Sequence, residues 1–597
     1  MARPFILLGT VIFATLMAIT CIPPYFVPYM AVISAISGLL CLILGIKLKF
    51  LKPVFIVFLA ICLASTSFFF RSAYTYYPAL TFITEQPAVV IGRVKEVIKN
   101  DNNYSYILQD IIVNDSHRTI YKIRISHKSL FDVSTDDSMT FNVWSINGYS
   151  DIRAFHMPDE DGIYLYAHSN DYPDIKKAES HTSAYYLSRM RTFIAETLNK
   201  STDKESAGAI NAMLTGDKEY LSDEVMQLFS RSGISHLFAV SGFHLSLWTS
   251  AIFAFFERLS RHMRLFSNVF SATFILFFMA LTGFTPSVVR AGIMMLIFIA
   301  GQLTKYKSDS VNSLFVALSV ILIANPYTVT SISLQMSFLA TLGIVTLSSA
   351  ITEPVYKLRK KIKPKYVFTA VSATYTTCMI SLIATVFTCP ISAYAFGSYS
   401  FLGPVTNILC LPVAQLILPL SSLGLATSFL TPVSKIFFTL CNFIMKYILF
   451  VAEKISQSHI AIVNTRITPV KTAIFLILAV TIVLIFIFER KNKQLRIITA
   501  FSIISFLVVS VSVFAYNNTS YTFYVPYVGN GSATVCNING KKIVIGCGGE
   551  DYREFAFTNT LSPYHSLILI YCLFPESKKQ NVYMQIRFLN GIISHQL

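Results

Sequence analysis

Apolar runs of about 20 residues recur along this chain, and they limit its fold more than any other feature. A run of that length crosses a bilayer as one α-helix, and lipid offers no hydrogen-bond partner to an open backbone. Composition agrees, since 54% of the residues are hydrophobic and 13% are charged, against about 25% charged in soluble proteins. The sequence therefore predicts a polytopic α-helical membrane protein with about 13 spans.

Two of the predicted spans look irregular. The span at 310–326 is short and ends at Asn325-Pro326, and residues 387–413 contain several prolines and glycines. Such sequences are typical of broken or re-entrant helices around a cavity or pore. The predicted spans are residues 5–22, 28–46, 53–70, 235–256, 268–284, 287–303, 310–326, 331–350, 367–389, 402–428, 435–453, 470–489 and 496–515.

Basic residues cluster at alternate ends of these spans. The clusters within 47–52, 258–264, 305–307, 357–365 and 490–496 all fall on one side under a single alternating assignment. Because lysine and arginine are retained in cytoplasmic loops, we expect a cytoplasmic N-terminus and two extracytoplasmic polar regions. The net charge of +17 has two interpretations. One is that the basic residues set the membrane topology, and the other is that they form a basic path for nucleic acid.

The first polar region, residues 71–182, is expected to be an extracytoplasmic β domain. Apolar and charged residues alternate around 90–97, 121–125 and 139–143, and a period of two is typical of antiparallel strands. Strands this short close naturally into a small barrel. Two interpretations of the domain stay open, a platform that binds single-stranded DNA through aromatic and basic side chains and a folded spacer.

Residues 183–231 are expected to form amphipathic helices on the outer membrane surface. Gly216 should end one helix, Ser222 should cap the next, and Gly233 should end that helix before the second hydrophobic block. The apolar face of the first helix is expected to contain Leu187, Met190, Ile194 and Leu198.

The stretch Ser232–Leu247 carries polar residues into a predicted span. Ionisable side chains are costly in a bilayer and usually face a protein interior or a wet cavity, and Gly242 permits close helix packing. His236 and His244 would lie about 80° apart on one helix, which is not a metal-ligand spacing. Ser241 and His244 share a face, but a catalytic pair is disfavoured because no orienting acid lies nearby. A channel lining is favoured over plain helix packing.

Three polar residues in later spans are weaker candidates. Arg290 could snorkel to the membrane surface or bind a phosphate through its fork of donors. Gln335 and Asn407 could contact a substrate, although hydrogen bonds between helices explain them equally well.

Several ordered motifs resemble one family. The run H-L-F-A-V-S-G-F-H-L at residues 236–245 is similar to the signature of the ComEC family, polytopic membrane proteins that pass DNA into competent bacteria. The runs at 212–217, 281–287 and 334–340, and the pair Leu411-Pro412 after Asn407, resemble further parts of that family. The set is specific because the matches are numerous and in order, although each alone is weak.

The resemblance implies conduction of single-stranded DNA across the cytoplasmic membrane during natural competence. It also implies that the β domain is an OB-like barrel. No ATP-binding P-loop occurs in the sequence, so the family implies an outer DNA receptor protein and a cytoplasmic ATP-driven DNA translocase as partners, besides membrane lipid; a homo-oligomer is compatible with it. The expected residues of the DNA path are His236, Ser241, Gly242, His244, Arg290, Gln335 and Asn407.

The second polar region, residues 516–597, is expected to contain a few strands. The pair Asn539-Gly540 is a tight-turn signal between two of them. The region resembles the start of the metallo-β-lactamase-like domain of that family, but characteristic polar positions are changed at Tyr527, Asn530 and Ser532, and no H-x-H-x-D-H run follows. We therefore predict a truncated αβ remnant without catalytic activity, metal or other cofactor, because two-metal hydrolysis needs clustered carboxylates and imidazoles.

Two alternative functions stay open, and the arguments above divide the chain into five segments. A secondary transporter for a small solute would also use broken helices, and a membrane-bound metal-dependent hydrolase would use the histidines or the C-terminal region. The predicted segments are three spans in 1–70, the β domain in 71–182, amphipathic helices in 183–231, the channel domain in 232–515 and the remnant in 516–597.

Overall fold

The structure is a computed structural model, and the chain divides into two compact units. The first contains Met1–Thr385 and Ser400–Ala461, and the second contains Val386–Tyr399 and Ile462–Leu597. The described residues are 4–19, 26–45, 51–99, 103–114, 121–148, 161–238, 242–259, 264–305, 309–347, 352, 354–355, 359, 365–396, 398–400, 402–458, 462–464, 521–524, 533–538 and 541–547.

Three apolar helices begin the first unit, where three spans were predicted. The third continues through a π-helical turn, Ser72–Tyr76, into a short helix before the first strand. The Ser72 hydroxyl lies 2.9 Å from the Tyr327 hydroxyl, which ties this turn to a distant part of the chain. These helices are α1 (Pro4–Ile19), α2 (Val27–Gly45), α3 (Leu51–Arg71) and α4 (Tyr77–Leu80).

Seven strands then form one sheet. The strand order is β5-β6-β3-β2-β1-β4-β7, antiparallel except for the β3–β6 pair, and among the described strands the sheet is not closed into a ring. The strands are β1 (Ala88–Lys99), β2 (Tyr104–Val113), β3 (Lys122–His127), β4 (Ser138–Val143), β5 (Ile146–Gly148), β6 (Ile163–His168) and β7 (Asp174–Lys176). The three predicted runs of alternation are all strands, because one face of each packs on the domain core.

The sheet core is built from the inward side chains of that alternation. In β3, buried Ile123 and Ile125 alternate with half-buried Lys122 and Arg124. Tyr106 is fully buried, and its hydroxyl donates to the Ser129 carbonyl at 2.9 Å, so its polar end is satisfied. Residues one apart point to opposite faces of a strand, and the pattern therefore fixes which face is inside.

The stability of this sheet is expected to rise with pH between about 8 and about 10.5. Burial, and then the charge of nearby Lys95, lowers the pKa of Lys122 from 10.5 to about 8. Within that window the unfolded chain binds more protons than the folded chain, so raising the pH favours folding. The check compares the midpoint of urea unfolding at about pH 7.5 and at about pH 10. Unfolding is monitored by the fluorescence of Trp144 in a Trp248→Phe background. Lys122→Met should abolish the rise, and an equal rise in that variant would contradict the assignment.

Three helices follow the sheet and end as the sequence predicts. The Ser222 side chain accepts from the Val225 N–H at 3.4 Å, and Gly216 and Gly233 end their helices in left-handed conformations, with φ of 81° and 80°. These conformations favour glycine because it has no Cβ. The helices are α5 (Ser183–Ser201), α6 (Lys204–Thr215) and α7 (Asp223–Ser232).

The predicted apolar face of α5 is covered by the protein over part of its length. Ile194, Ala195 and Leu198 form the buried side, whereas Met190 is 39% exposed.

Apolar helices lie over eleven of the thirteen predicted spans. The predicted spans 470–489 and 496–515 lie outside the described residues. After α7 the helices are α8 (Gly242–Leu259), α9 (Arg264–Leu281), α10 (Pro286–Thr304), α11 (Ser310–Ala324), α12 (Ile332–Thr346), α13 (Lys365–Phe396), α14 (Gly403–Ala426) and α15 (Thr431–Ser456).

The helical part is that of a membrane protein. Five stretches of the described chain are long and apolar enough to cross a bilayer by length and composition, and six shorter helices are also apolar. Many large apolar side chains point outward on them, as on α2, where Ile33 and Ile36 are each 64% exposed. An outer apolar surface is the expected state where lipid is the solvent. The five stretches are Pro53–Leu80, Pro286–Thr304, Tyr366–Ser392, Gly403–Ala426 and Thr431–Ser456.

The remaining strands are short. Strands β8 (Ser398–Ser400) and β9 (Ile462–Asn464) pair with each other. In the second unit, β10 (Tyr521–Tyr524), β11 (Ala533–Ile538) and β12 (Lys541–Cys547) form an antiparallel sheet in which Ile538 pairs with Lys541. That register is expected of a hairpin with a two-residue connection. The predicted turn pair itself lies outside the described residues.

Candidate functional site

The motif region is built differently from the single helix expected over 235–256. A 3-10 turn, Ser235–Leu237, is followed by α8, which begins only at Gly242. The prediction of one continuous helix is therefore wrong, and the 80° separation of the two histidines does not apply. Helical periodicity could not reveal this break because the residues on both sides are equally apolar.

Gly242 allows α8 to meet α10 at close range. A Cβ placed on Gly242 would lie 2.8 Å from the Ala291 Cβ and 3.5 Å from an Arg290 Nη. Contacts under 3 Å would force the helices apart, so glycine is required for this crossing. The structure thus brings two of the predicted residues, Gly242 and Arg290, into one place.

Arg290 is buried instead of snorkelling to the surface. It is 8% exposed, and its Nη1 donates to the Ser337 carbonyl of α12. Its Nε is also buried and has no hydrogen-bond partner among the described residues. Arg290 therefore joins α10 to α12 and keeps one donor that the described protein leaves unused.

The two histidines stand on either side of the break before α8. His244 is 3% exposed in the first turn of α8, and His236 lies in the 3-10 turn Ser235–Leu237. Ser241, which was predicted to lie beside them, is outside the described residues.

Gln335 and Asn407 both make hydrogen bonds inside the protein. The Gln335 amide donates to the Val329 carbonyl at 2.8 Å, in the 3-10 turn Pro326–Thr330 before α12. The Asn407 amide donates to the Ser381 hydroxyl at 2.7 Å and so joins α14 to α13. The carbonyl oxygen of Asn407 is buried without a partner among the described residues.

A second close approach places the start of the motif against α14. Gly233 has φ of +80°, and a Cβ there would lie 2.7 Å from the Gly403 Cα. Beside it, the rings of Phe229 and Phe238 stack with centroids 4.2 Å apart. The motif is therefore held between α10 on one side and the start of α14 on the other.

Sequence reasoning missed Arg191, which connects the surface helix α5 to the bundle. Its Nε donates to the Leu281 carbonyl at 2.7 Å, at the end of α9. This carbonyl lies in the last turn, where helices leave acceptors unpaired. The sequence did contain a signal for this contact, because Arg191 is a cation in the middle of an amphipathic helix, directly next to Met190.

No cluster of metal ligands accompanies these residues. Among the described residues there is no group of three or more His, Cys, Asp or Glu side chains that could hold a metal ion. The polar side chains described at this site make hydrogen bonds within an apolar helical bundle.

The fold and the site define a class, a helical membrane protein whose bundle holds buried polar groups against a glycine-rich motif. Residues 213–491 match the family model described as competence protein. The ComE operon protein 3 of Bacillus subtilis (strain 168) is 26% identical over 324 residues, which are 54% of this chain and 39% of that relative. These matches confirm the resemblance to the ComEC family.

The match to the relative covers about two fifths of that protein's length, namely 39%. No solved structure matches the chain.

Proposed function

We propose that this protein conducts single-stranded DNA across the cytoplasmic membrane during natural competence. The observation that carries the proposal is the match of residues 213–491 to the competence protein model, in a segment that contains the break before α8. A DNA strand carries one charge per phosphate, so its path needs polar and cationic groups in place of water. Arg290, whose buried Nε has no partner among the described residues, fits that need.

We propose the seven sequence-derived residues as the lining of this path. Gly242 and Arg290 lie together where α8 meets α10, and His244 lies in the first turn of α8, while Ser241 stays a prediction from the motif alone. Gln335 and Asn407 position the neighbouring elements. The Gln335 amide holds the turn before α12, and the Asn407 amide holds α13 against α14. His236 lies in the 3-10 turn that precedes α8.

We also propose that the sheet is an OB-like barrel which presents DNA from the outer side. The strand order supports this proposal. Strand β4 pairs with β1, and β5 follows β4 after only two intervening residues, yet β5 pairs with β6 at the other edge of the sheet. Exposed aromatic residues suit base stacking, and Tyr172 and Trp144 are 83% and 67% exposed.

The proposed topology has about 13 spans, a cytoplasmic N-terminus and both polar regions outside, as the basic clusters favour. Because the sequence has no P-loop, an outer DNA receptor and a cytoplasmic ATP-driven translocase are the proposed partners, and a homo-oligomer is compatible with this arrangement. The C-terminal sheet is proposed to lack hydrolase activity.

The test is uptake of labelled duplex DNA in the source organism. A deletion strain is expected to lose protected intracellular DNA, and His236→Ala/His244→Ala is expected to lower it about tenfold, as the loss of polar contacts to a substrate would. Membrane levels of the variant are measured in parallel. Leu276→Ala, an exposed position on α9, is the control and should leave uptake unchanged.

Normal uptake in the deletion strain would overturn the proposed function. Normal uptake in the double variant alone would keep the channel and assign the histidines to helix packing.

A further inference from the structure

A second set of buried polar groups lies on α9, away from the site described above. Ser267, Asn268 and Ser271 are 2%, 5% and 0% exposed. The two serine hydroxyls and the Asn268 side-chain carbonyl oxygen have no hydrogen-bond partner among the described residues. Buried polar groups are normally paired, so three unpaired groups within five residues call for a ligand.

These groups share one face of the helix. Residues three and four apart are neighbours on a helix surface, so Ser271 lies one turn from both Ser267 and Asn268. The opposite face carries apolar residues that point outward, with Val269 56% exposed and Phe270 46% exposed. The polar face is therefore turned into the protein and the apolar face outward.

The polar face lies at the other end of the α8–α10 bundle from Gly242 and Arg290. Phe256, near the end of α8, packs its ring 5.1 Å from that of Phe266, next to the polar face. The far end of α9 instead meets α10, where a Cβ on Gly292 would touch the Met279 sulfur. Eleven residues separate Asn268 from Met279, or about 16 Å along the helix.

We propose that Ser267, Asn268 and Ser271 form a second binding site that hydrogen-bonds the base edges of the passing strand. This inference rests on the proposed function and adds where the bases are contacted. The three side chains are neutral, so they suit bases better than phosphates. An asparagine amide offers both a donor and an acceptor and can pair with an adenine edge, and serine hydroxyls can bond to any base.

The first test replaces the polar face with apolar groups of similar size, in Ser267→Ala/Asn268→Leu/Ser271→Ala. Removing buried unpaired groups does not lower the stability of the fold, so a purely structural role predicts unchanged uptake. The proposal instead predicts an uptake loss of about tenfold at an unchanged or higher melting temperature. Unchanged uptake overturns it.

The second test does not depend on how the triple variant folds. Asn268→Cys and Val269→Cys are compared in the full-length membrane protein, during uptake of DNA that carries a thiol-reactive base. The unaltered chain measures the background from its ten cysteines. Crosslinking at position 268 above that at 269 supports the proposal, and equal or absent crosslinking overturns it.

The two proposals fail in different ways. If the deletion strain takes up DNA normally, the channel function itself is wrong. If only the deletion loses uptake, and the α9 variants neither lose uptake nor crosslink, the channel function stands and this site is wrong.

Discussion

Arg290→Leu is expected to lower DNA uptake about thirtyfold, since a hydrogen bond from a charged group contributes about 1.5–3 kcal/mol. The substitution removes the donor that joins α10 to the Ser337 carbonyl of α12. It also removes the buried Nε, which has no partner among the described residues and which we assign to the DNA path. The measurement is protected intracellular DNA, normalised to the amount of the variant in the membrane.

Two further variants separate the structural and the electrostatic part of this effect. Arg290→Gln keeps a neutral donor for Ser337, whereas Arg290→Lys keeps the charge but loses the planar fork. Recovery by glutamine alone would assign Arg290 to helix packing, and recovery by lysine alone would favour phosphate contact. Phe298→Leu, 44% exposed on the same helix, is the matched control. Uptake within about twofold of wild type in Arg290→Leu, at equal protein level, would contradict the expectation.

Gly208→Ala is expected to destabilise the protein by about 3 kcal/mol and so to lower its amount in the membrane. In an open helix the same change stabilises by about 1 kcal/mol, because glycine is a poor helix former. Here a Cβ would lie 2.1 Å from the Tyr220 carbonyl oxygen, which is backbone and cannot rotate away. Helix α6 would have to move, and every residue from Ser206 to Thr215 is buried against its neighbours.

The check on Gly208→Ala is the melting temperature of the purified protein together with its membrane level. Glu205→Ala changes a solvent-exposed residue of the same helix and should leave both values near wild type. A Gly208→Ala protein that melts at or above the wild-type temperature would show that the loop at Tyr220 yields easily, and would remove this contact as a constraint on the fold.

Much of the secondary structure was predictable because its causes are local. Alternation in β3, the caps at Ser222 and Gly233, and the apolar runs of α1 to α3 each depend on residues within a few positions of one another. The resemblance carried by residues 236–245 was likewise complete in the sequence, and the comparisons confirm it.

The site was predictable only as a set of residue types. The sequence marked Gly242 and Arg290 as unusual, but it could not show that they meet where two helices cross. It also gave no reason to separate His236 from the helix of His244, or to expect Met190 to be exposed. Burial and pairing depend on which surfaces meet, and a pattern within one helix does not determine its neighbour.

The sequence by itself determined that this is a helical membrane protein with an inserted β domain and a competence-type motif. Length, hydropathy and alternation are properties of consecutive residues. In lipid, few folds satisfy the hydrogen bonds of the backbone, so these properties limit the fold strongly. The tertiary structure alone decided that α8 meets α10 at Gly242, that Arg290 is buried and that α9 turns inward three polar groups with no partner among the described residues. These facts follow from contacts between residues far apart in the chain, where close packing, not local preference, selects the partner.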